Sequence, residues 1–224
     1  MIYIIALLAL LAVMFYPQYA TRRILRKHAV PRPDFPGTGA EFASHLLDRF
    51  KIDGVGVEQT NRGDHYDPAH RMVRLTPEYF NGKSLTSVVV AAHEVGHAIQ
   101  HHRGSGGLSV RYRLQVVANL AAKVSQVALV ALPFLAGINP GLMRLAIVLI
   151  VAGILLSTLV HLATLPVEWD ASFNKALPIL QEGQYLTDTD MIAARKILTA
   201  CALTYVSASL ASVLGALRWL RWLR

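Results

Sequence analysis

Only one cysteine, Cys201, occurs in the 224-residue chain, and it lies inside an apolar stretch. A single thiol excludes an intrachain disulfide framework and a zinc site built on cysteines. Charge is also scarce. Asp, Glu, Lys and Arg make up 16% of the residues, against about 25% in soluble domains. The balance is positive, formally +8. The cations cluster beside apolar blocks, without the aromatic interleaving that single-stranded nucleic acid requires. No nucleic-acid partner is expected; the lipid bilayer is the expected partner of the basic residues. The chain contains neither an internal repeat nor a low-complexity tract.

Apolar residues make up 54% of the chain, with a mean hydropathy of +0.40, and they are concentrated in four blocks. Met1 to Thr21 has no charged side chain and lacks the basic start and small-residue cleavage site of a secretory signal. It ends in Phe15-Tyr16-Pro17, followed by Arg22, Arg23, Arg26 and Lys27, and reads as a retained first span over residues 1–21. The second span, 113–137, holds the block Leu114 to Gly137, apolar except for Lys123. The third, Leu145 to Val167, is 23 residues long without Asp, Glu, Lys or Arg, and the fourth, Ile197 to Leu217, is 21. A span needs about 20 apolar residues. The predicted fold class is therefore mainly α and membrane-embedded, with four transmembrane helices and a small α+β domain between the first two.

That domain occupies residues 22–112. Thr38-Gly39-Ala40-Glu41 matches a capping box and predicts a helix to about Phe50. Gly54 to Thr60 and Arg71 to Thr76 read as strands, with the turn between them at Asn61 to Asp64. Asn81 to Ser84 caps a helix predicted over Leu85 to His102, stopped by Gly104 to Gly107.

Within this helix lies His93-Glu94-Val95-Gly96-His97. Residues four apart share a helix face, so the two imidazoles can bind one zinc from the same side. Glu94 then sits beside the metal-bound water as its general base. The apolar run Val88 to Ala92 buries the back of the helix.

A catalytic zinc takes a third protein ligand and leaves one position open. His101 continues the stripe, but at about 12 Å from His93 along the axis it is too far to share an ion. His101 and His102 read as a solvated or interfacial helix end. His161 lies inside the third span and reads as a neutral, hydrogen-bonded histidine. Glu168 is the leading candidate: it follows the third span, Pro166 suits the start of a new helix, and small Ala171 and Ser172 on its face allow close packing against the histidine helix. Asp170 is the fallback ligand. The segment 168–196 is thus a third-ligand helix and loop.

His93-Glu94-Val95-Gly96-His97 together with Glu168 resembles the gluzincin peptidases. More closely, the chain resembles the bacterial YugP-type neutral zinc metallopeptidases, in Asp64-His65-Tyr66-Asp67-Pro68, Val73-Arg74-Leu75, Pro166-Val167-Glu168 and Ala202-Leu203-Thr204-Tyr205. A more distant similarity is to the membrane-bound HtpX and CAAX-processing peptidases. The resemblance implies a zincin-like domain, His93, His97 and Glu168 as ligands of one zinc per chain, Glu94 as base, and a peptide or protein substrate in a bacterial cell membrane. Tyr205 is a candidate hydrogen-bond donor to the oxyanion. His65 and Asp67 are candidates to line the cleft or orient a ligand histidine. The strand at Arg71 to Thr76 is a candidate for strand addition by substrate.

Four spans put the polar domain and residues 168–196 on the same side of the bilayer. Ten Arg and Lys residues flank the spans there against four on the other side, which places the active site in the cytoplasm. Two other readings remain open. A site-2-type intramembrane protease would carry an Asn-Pro-Asp-Gly segment, but Asn139-Pro140-Gly141 has no aspartate. A non-catalytic membrane scaffold with a metal site is the second.

Overall fold

The computed structural model describes residues 16–220, except for the side chains of Ala136, Thr204, Tyr205 and residues 207–220. Residues 1–15 of the expected first span, 1–21, lie outside the described residues. Residues 16–28 are helical (α1). There follow α2 (Gly39–Arg49), β1 (Gly56–Gln59), β2 (His65–Asp67), β3 (Met72–Leu75), α3 (Pro77–Phe80), α4 (Leu85–His102), α5 (Gly106–Ile138) and α6 (Pro140–Trp169). A π-helical stretch (Asp170–Ala176), α7 (Leu177–Glu182) and α8 (Asp188–Leu220) complete the order.

Contacts divide the chain into two units, one of which comprises Gln18–Leu108 and Val167–Leu203. At its centre is α4. Every residue from Leu85 to Gln100 is buried except His93, which is partly so. A helix that is apolar on all sides is stable only with partners all round it. Here Val89, Ala92, Val95 and Ile99 join Leu46 and Leu47 of α2, Val73 and Leu75 of β3, Leu180 of α7 and Leu198 of α8 in one core. Ser84 caps α4, its hydroxyl accepting from the Ser87 N–H at 3.2 Å. The capping box of α2 is formed: Thr38 N–H donates to Glu41 Oε2 at 2.7 Å and Glu41 N–H to Thr38 Oγ1 at 3.2 Å. Farther along the chain, Arg32 reaches Asp190 at the start of α8 through two bonds of 2.7 and 3.0 Å.

The sheet has the order β1-β3-β2. This corrects the expectation of two strands joined by a turn. β1 and β3 run parallel, and β2, which was not expected as a strand, pairs antiparallel with β3. Parallel neighbours cannot be joined by a tight turn, and the chain between them supplies β2 on the way. Because β3 is central, both its edges are occupied, and substrate cannot add to it as expected. Arg74 on β3 forms ion pairs with Glu58 on β1 and Asp67 on β2, linking all three strands through one side chain.

The other unit comprises Met1–Pro17, Ser109–Pro166 and Thr204–Arg224. Among the described residues two helices are long and apolar enough to cross a membrane, Gly106–Leu135 and Pro140–Glu182; they cover most of the expected second span, 113–137, and all of the third, 145–167. Val127 and Phe134 of α5 are each 70% exposed. A soluble protein rarely leaves such a surface in water, whereas hydrocarbon accepts it. α5 and α6 approach closely where Gly153 faces Ser125, whose Oγ lies 2.9 Å from the Ala121 carbonyl oxygen and 3.0 Å from that of Leu149. Small residues with a bonded hydroxyl are the usual means of helix contact in lipid. The expected fourth span, 197–217, falls on α8, and most side chains of that span lie outside the described residues.

Pro166 does not begin a new helix: α6 runs through it to Trp169. The irregularity expected at the proline appears a few residues later, as the π-helical turn. The proline lacks only one donor, and the helix continues on its remaining bonds.

Candidate metal centre

Two segments of the same unit build the site. α4 supplies His93, Glu94 and His97, and the end of α6 with the π-helical turn supplies Glu168, Asp170 and Ser172. Their close approach depends on Gly96. A Cβ at this position would lie 2.8 Å from the carbonyl oxygen of Ala171, a separation that real Cβ atoms do not tolerate. The third position between the histidines is therefore small because the π-helical backbone lies directly against it.

One helical turn of separation brings the His93 and His97 rings to 4.8 Å between centroids, nearly edge to face at 78°. Glu168 Oε2 is 3.2 Å from His93 Nε2 and 3.4 Å from His97 Nε2. The three residues each offer a ligand atom, and these atoms lie within 4.8 Å of one another. Two imidazole nitrogens and one carboxylate oxygen form a donor set suited to zinc, and the remaining nitrogens are engaged elsewhere. His93 Nδ1 is 3.1 Å from Ser172 Oγ, and His97 Nδ1 is 2.9 Å from Gln100 Oε1. The donor set and its convergence, with both Nε2 atoms turned toward Glu168 Oε2, fit one metal ion.

Glu94 adjoins His93 and is 5% exposed. Burial pushes its carboxyl up from the ordinary range, the His93 and His97 rings pull it down, and the charges of Glu168 and Asp64 raise it again. The net direction is upward, so the carboxyl holds a proton more readily than an ordinary one. Asp64 is fixed by Thr76, whose N–H and hydroxyl both donate to Asp64 Oδ1, at 2.6 and 3.0 Å.

Other residues singled out in the sequence occupy varied places. His101 pairs with the hydroxyl of Tyr66 at 2.8 Å, and His102 is exposed. Asp170 accepts from Gln100, Asn174 and Lys175. His65 Nδ1 lies 2.8 Å from the Gly63 carbonyl oxygen. Asp67 is engaged by Arg74, His70 and the turn backbone. His161 lies on α6 in the other unit. The Tyr205 side chain lies outside the described residues. Sequence reasoning passed over Gln100. Its signal was present: it stands three residues after His97 on a helix, on the same face, and is polar where its neighbours are apolar. It had valued Ser172 only for its size.

A protein-family model described as "Putative neutral zinc metallopeptidase" matches residues 3–224. Among curated proteins, "Putative membrane protease YugP" of Bacillus subtilis (strain 168) is similar to the chain, 35% identical over 222 residues, which cover 98% of this chain and 95% of that protein. No solved structure matches.

Proposed function

Since the chain belongs to the neutral zinc metallopeptidase family, we propose that it is a membrane-embedded, zinc-dependent endopeptidase. The observation that carries this reading is the convergence of His93 Nε2, His97 Nε2 and Glu168 Oε2, with Glu94 buried beside them. In this proposal His93, His97 and Glu168 hold one zinc per chain. A zinc ion held there would supply Lewis acidity toward a water molecule and the substrate carbonyl.

The chain's own residues perform the remaining steps. Glu94 takes the proton of the attacking water as the water adds to the peptide carbonyl carbon. It then gives that proton to the amine as the carbon–nitrogen bond breaks. Its raised affinity for a proton suits both halves of the cycle. Tyr205 is assigned the hydrogen bond to the developing oxyanion. The substrate is a peptide or protein segment. The two long apolar helices, together with spans at 1–21 and 197–217, anchor the chain in the bilayer, with the site on the cytoplasmic side by its excess of flanking cations.

The test is hydrolysis of an unstructured polypeptide by the detergent-purified full chain. Wild type cleaves it and loses activity to a chelator. E94Q, which retains the three ligands, is slower by about 10²- to 10⁴-fold. Cleavage by E94Q at the wild-type rate would sink the scheme.

A further inference from the structure

Gln100 is 2% exposed and lies within α4, one turn beyond the second ligand histidine. Its amide touches three groups. Nε2 donates to the carbonyl oxygen of Val167 at 2.9 Å and to Asp170 Oδ2 at 2.8 Å, and Oε1 faces His97 Nδ1 at 2.9 Å. The two ends of an amide are told apart by the groups around them. Here the assignment has one solution. The Val167 carbonyl can only accept. Asp170 already accepts on Oδ1 from Asn174 at 2.9 Å and from Lys175 at 3.1 Å, which turns Oδ2 toward Gln100 as a further acceptor. Both hydrogens of the amide nitrogen are thereby used, and only Oε1 remains for the histidine.

An oxygen that can only accept requires a donor opposite it. His97 must therefore carry its proton on Nδ1, which leaves the lone pair on Nε2, the atom 3.4 Å from Glu168 Oε2. The same amide binds the backbone at Val167, one residue before Glu168. It thus sets the tautomer of one ligand and ties down the segment bearing another. Ser172, beside His93 Nδ1 at 3.1 Å, imposes less: a hydroxyl both donates and accepts.

We infer that Gln100, held in orientation by Asp170, is a positioning residue for the metal centre, fixing His97 in the Nδ1–H tautomer and locking the Glu168 segment to α4. Outer partners of ligand histidines commonly control metal affinity by about 10- to 100-fold. The inference rests on the metal-site reading above.

The experiment is zinc affinity of the detergent-purified full chain, by competition with a chromogenic chelator, together with the visible absorption of the Co²⁺-loaded protein. Q100L keeps the volume but removes the acceptor. It should bind zinc about 10- to 100-fold more weakly, and its Co²⁺ bands should shift because the His97 ring is no longer held. Q100E keeps an acceptor for His97 but sets a carboxylate against Asp170 and loses the donor to Val167, so it should also bind weakly. Adding D170N restores a donor opposite the new carboxylate but not the donor to Val167, so Q100E/D170N should bind zinc more tightly than Q100E while staying below wild type, a partial rescue that a packing role alone does not produce. Wild-type affinity and unshifted bands in Q100L, or no rescue in the double variant, would overturn the inference. H97A separates the two readings: loss of zinc in H97A with unchanged binding in Q100L defeats only the role of Gln100, whereas a wild type that takes up no zinc defeats the metal site as well.

Discussion

The α-carbon of Gly96 lies against the carbonyl of Ala171, so closely that a Cβ would fall 2.8 Å from that oxygen and 3.4 Å from Lys175 Cβ. The two residues belong to the two halves of the candidate metal centre, and their contact sets the distance between those halves. G96A must push the π-helical turn away from α4 or strain both backbones. Overpacking of this kind costs about 1–3 kcal/mol. The expected result is a lower thermal midpoint together with weaker zinc binding, because Glu168 moves with Ala171. Denaturation and chelator competition on the same preparation check both. A G96A protein with wild-type zinc affinity would show that the contact does not set the ligand spacing.

Arg74 holds the edge strands through Glu58 and Asp67, and Asp67 provides a pH signature. Burial pushes the Asp67 carboxyl up, but bonds from the His70 side chain and backbone and from the Ala69 N–H, with the Arg74 charge, outweigh it and bring the carboxyl down to about 2. A folded pKa below the unfolded one stabilises the protein at pH values above the unfolded pKa, and that stabilisation is lost as pH falls through the window between the ordinary value of 3.8 and about 2. D67N should therefore be less stable than wild type at neutral pH, by up to about 1 kcal/mol for a partly solvated pair. The difference should shrink as the pH is lowered through that window. Urea titrations at pH 7 and pH 3 measure it.

Gly153 and Ser125 form the close point between α5 and α6. A leucine at 153 has no room: even a Cβ would lie 1.9 Å from Ser125 Oγ and 3.1 Å from the Ala121 carbonyl oxygen. G153L should separate the pair and lower the melting temperature in detergent, whereas V127L, at a position 70% exposed, should leave it unchanged.

The bilayer assignment is tested by labelling. With Cys201 replaced by alanine, a single cysteine at exposed position 62 reports on the polar unit. R62C in intact cells should resist a membrane-impermeant maleimide and react once the membrane is opened. Labelling of intact cells would place the site on the outside.

What was legible in the sequence was what short-range chemistry determines. Thr38 with Glu41, and Ser84 before an apolar run, announced α2 and α4 with nearly their final bounds, because caps are local. The spacing of His93 and His97 put them on one face, and Glu168, singled out from its place after an apolar block, lies against both rings. The sheet was less legible. β2 is three residues long, directly follows the turn at Asn61 to Asp64, and depends on pairing with β3, a non-local interaction. Pro166 was misleading because a proline both opens helices and persists within them when surrounding bonds suffice. Gln100 escaped because its role depends on Val167 and Asp170, distant in sequence and adjacent only after folding.

Metal content by mass spectrometry on the detergent-purified wild type, beside H93A, H97A and E168A, tests the central claim most directly. The account predicts one zinc per chain in the wild type and its loss in each of the three variants. Zinc retained by E168A would contradict the ligand set and direct attention to Asp170 or His161, and a wild type that binds no zinc even after reconstitution would contradict the account as a whole.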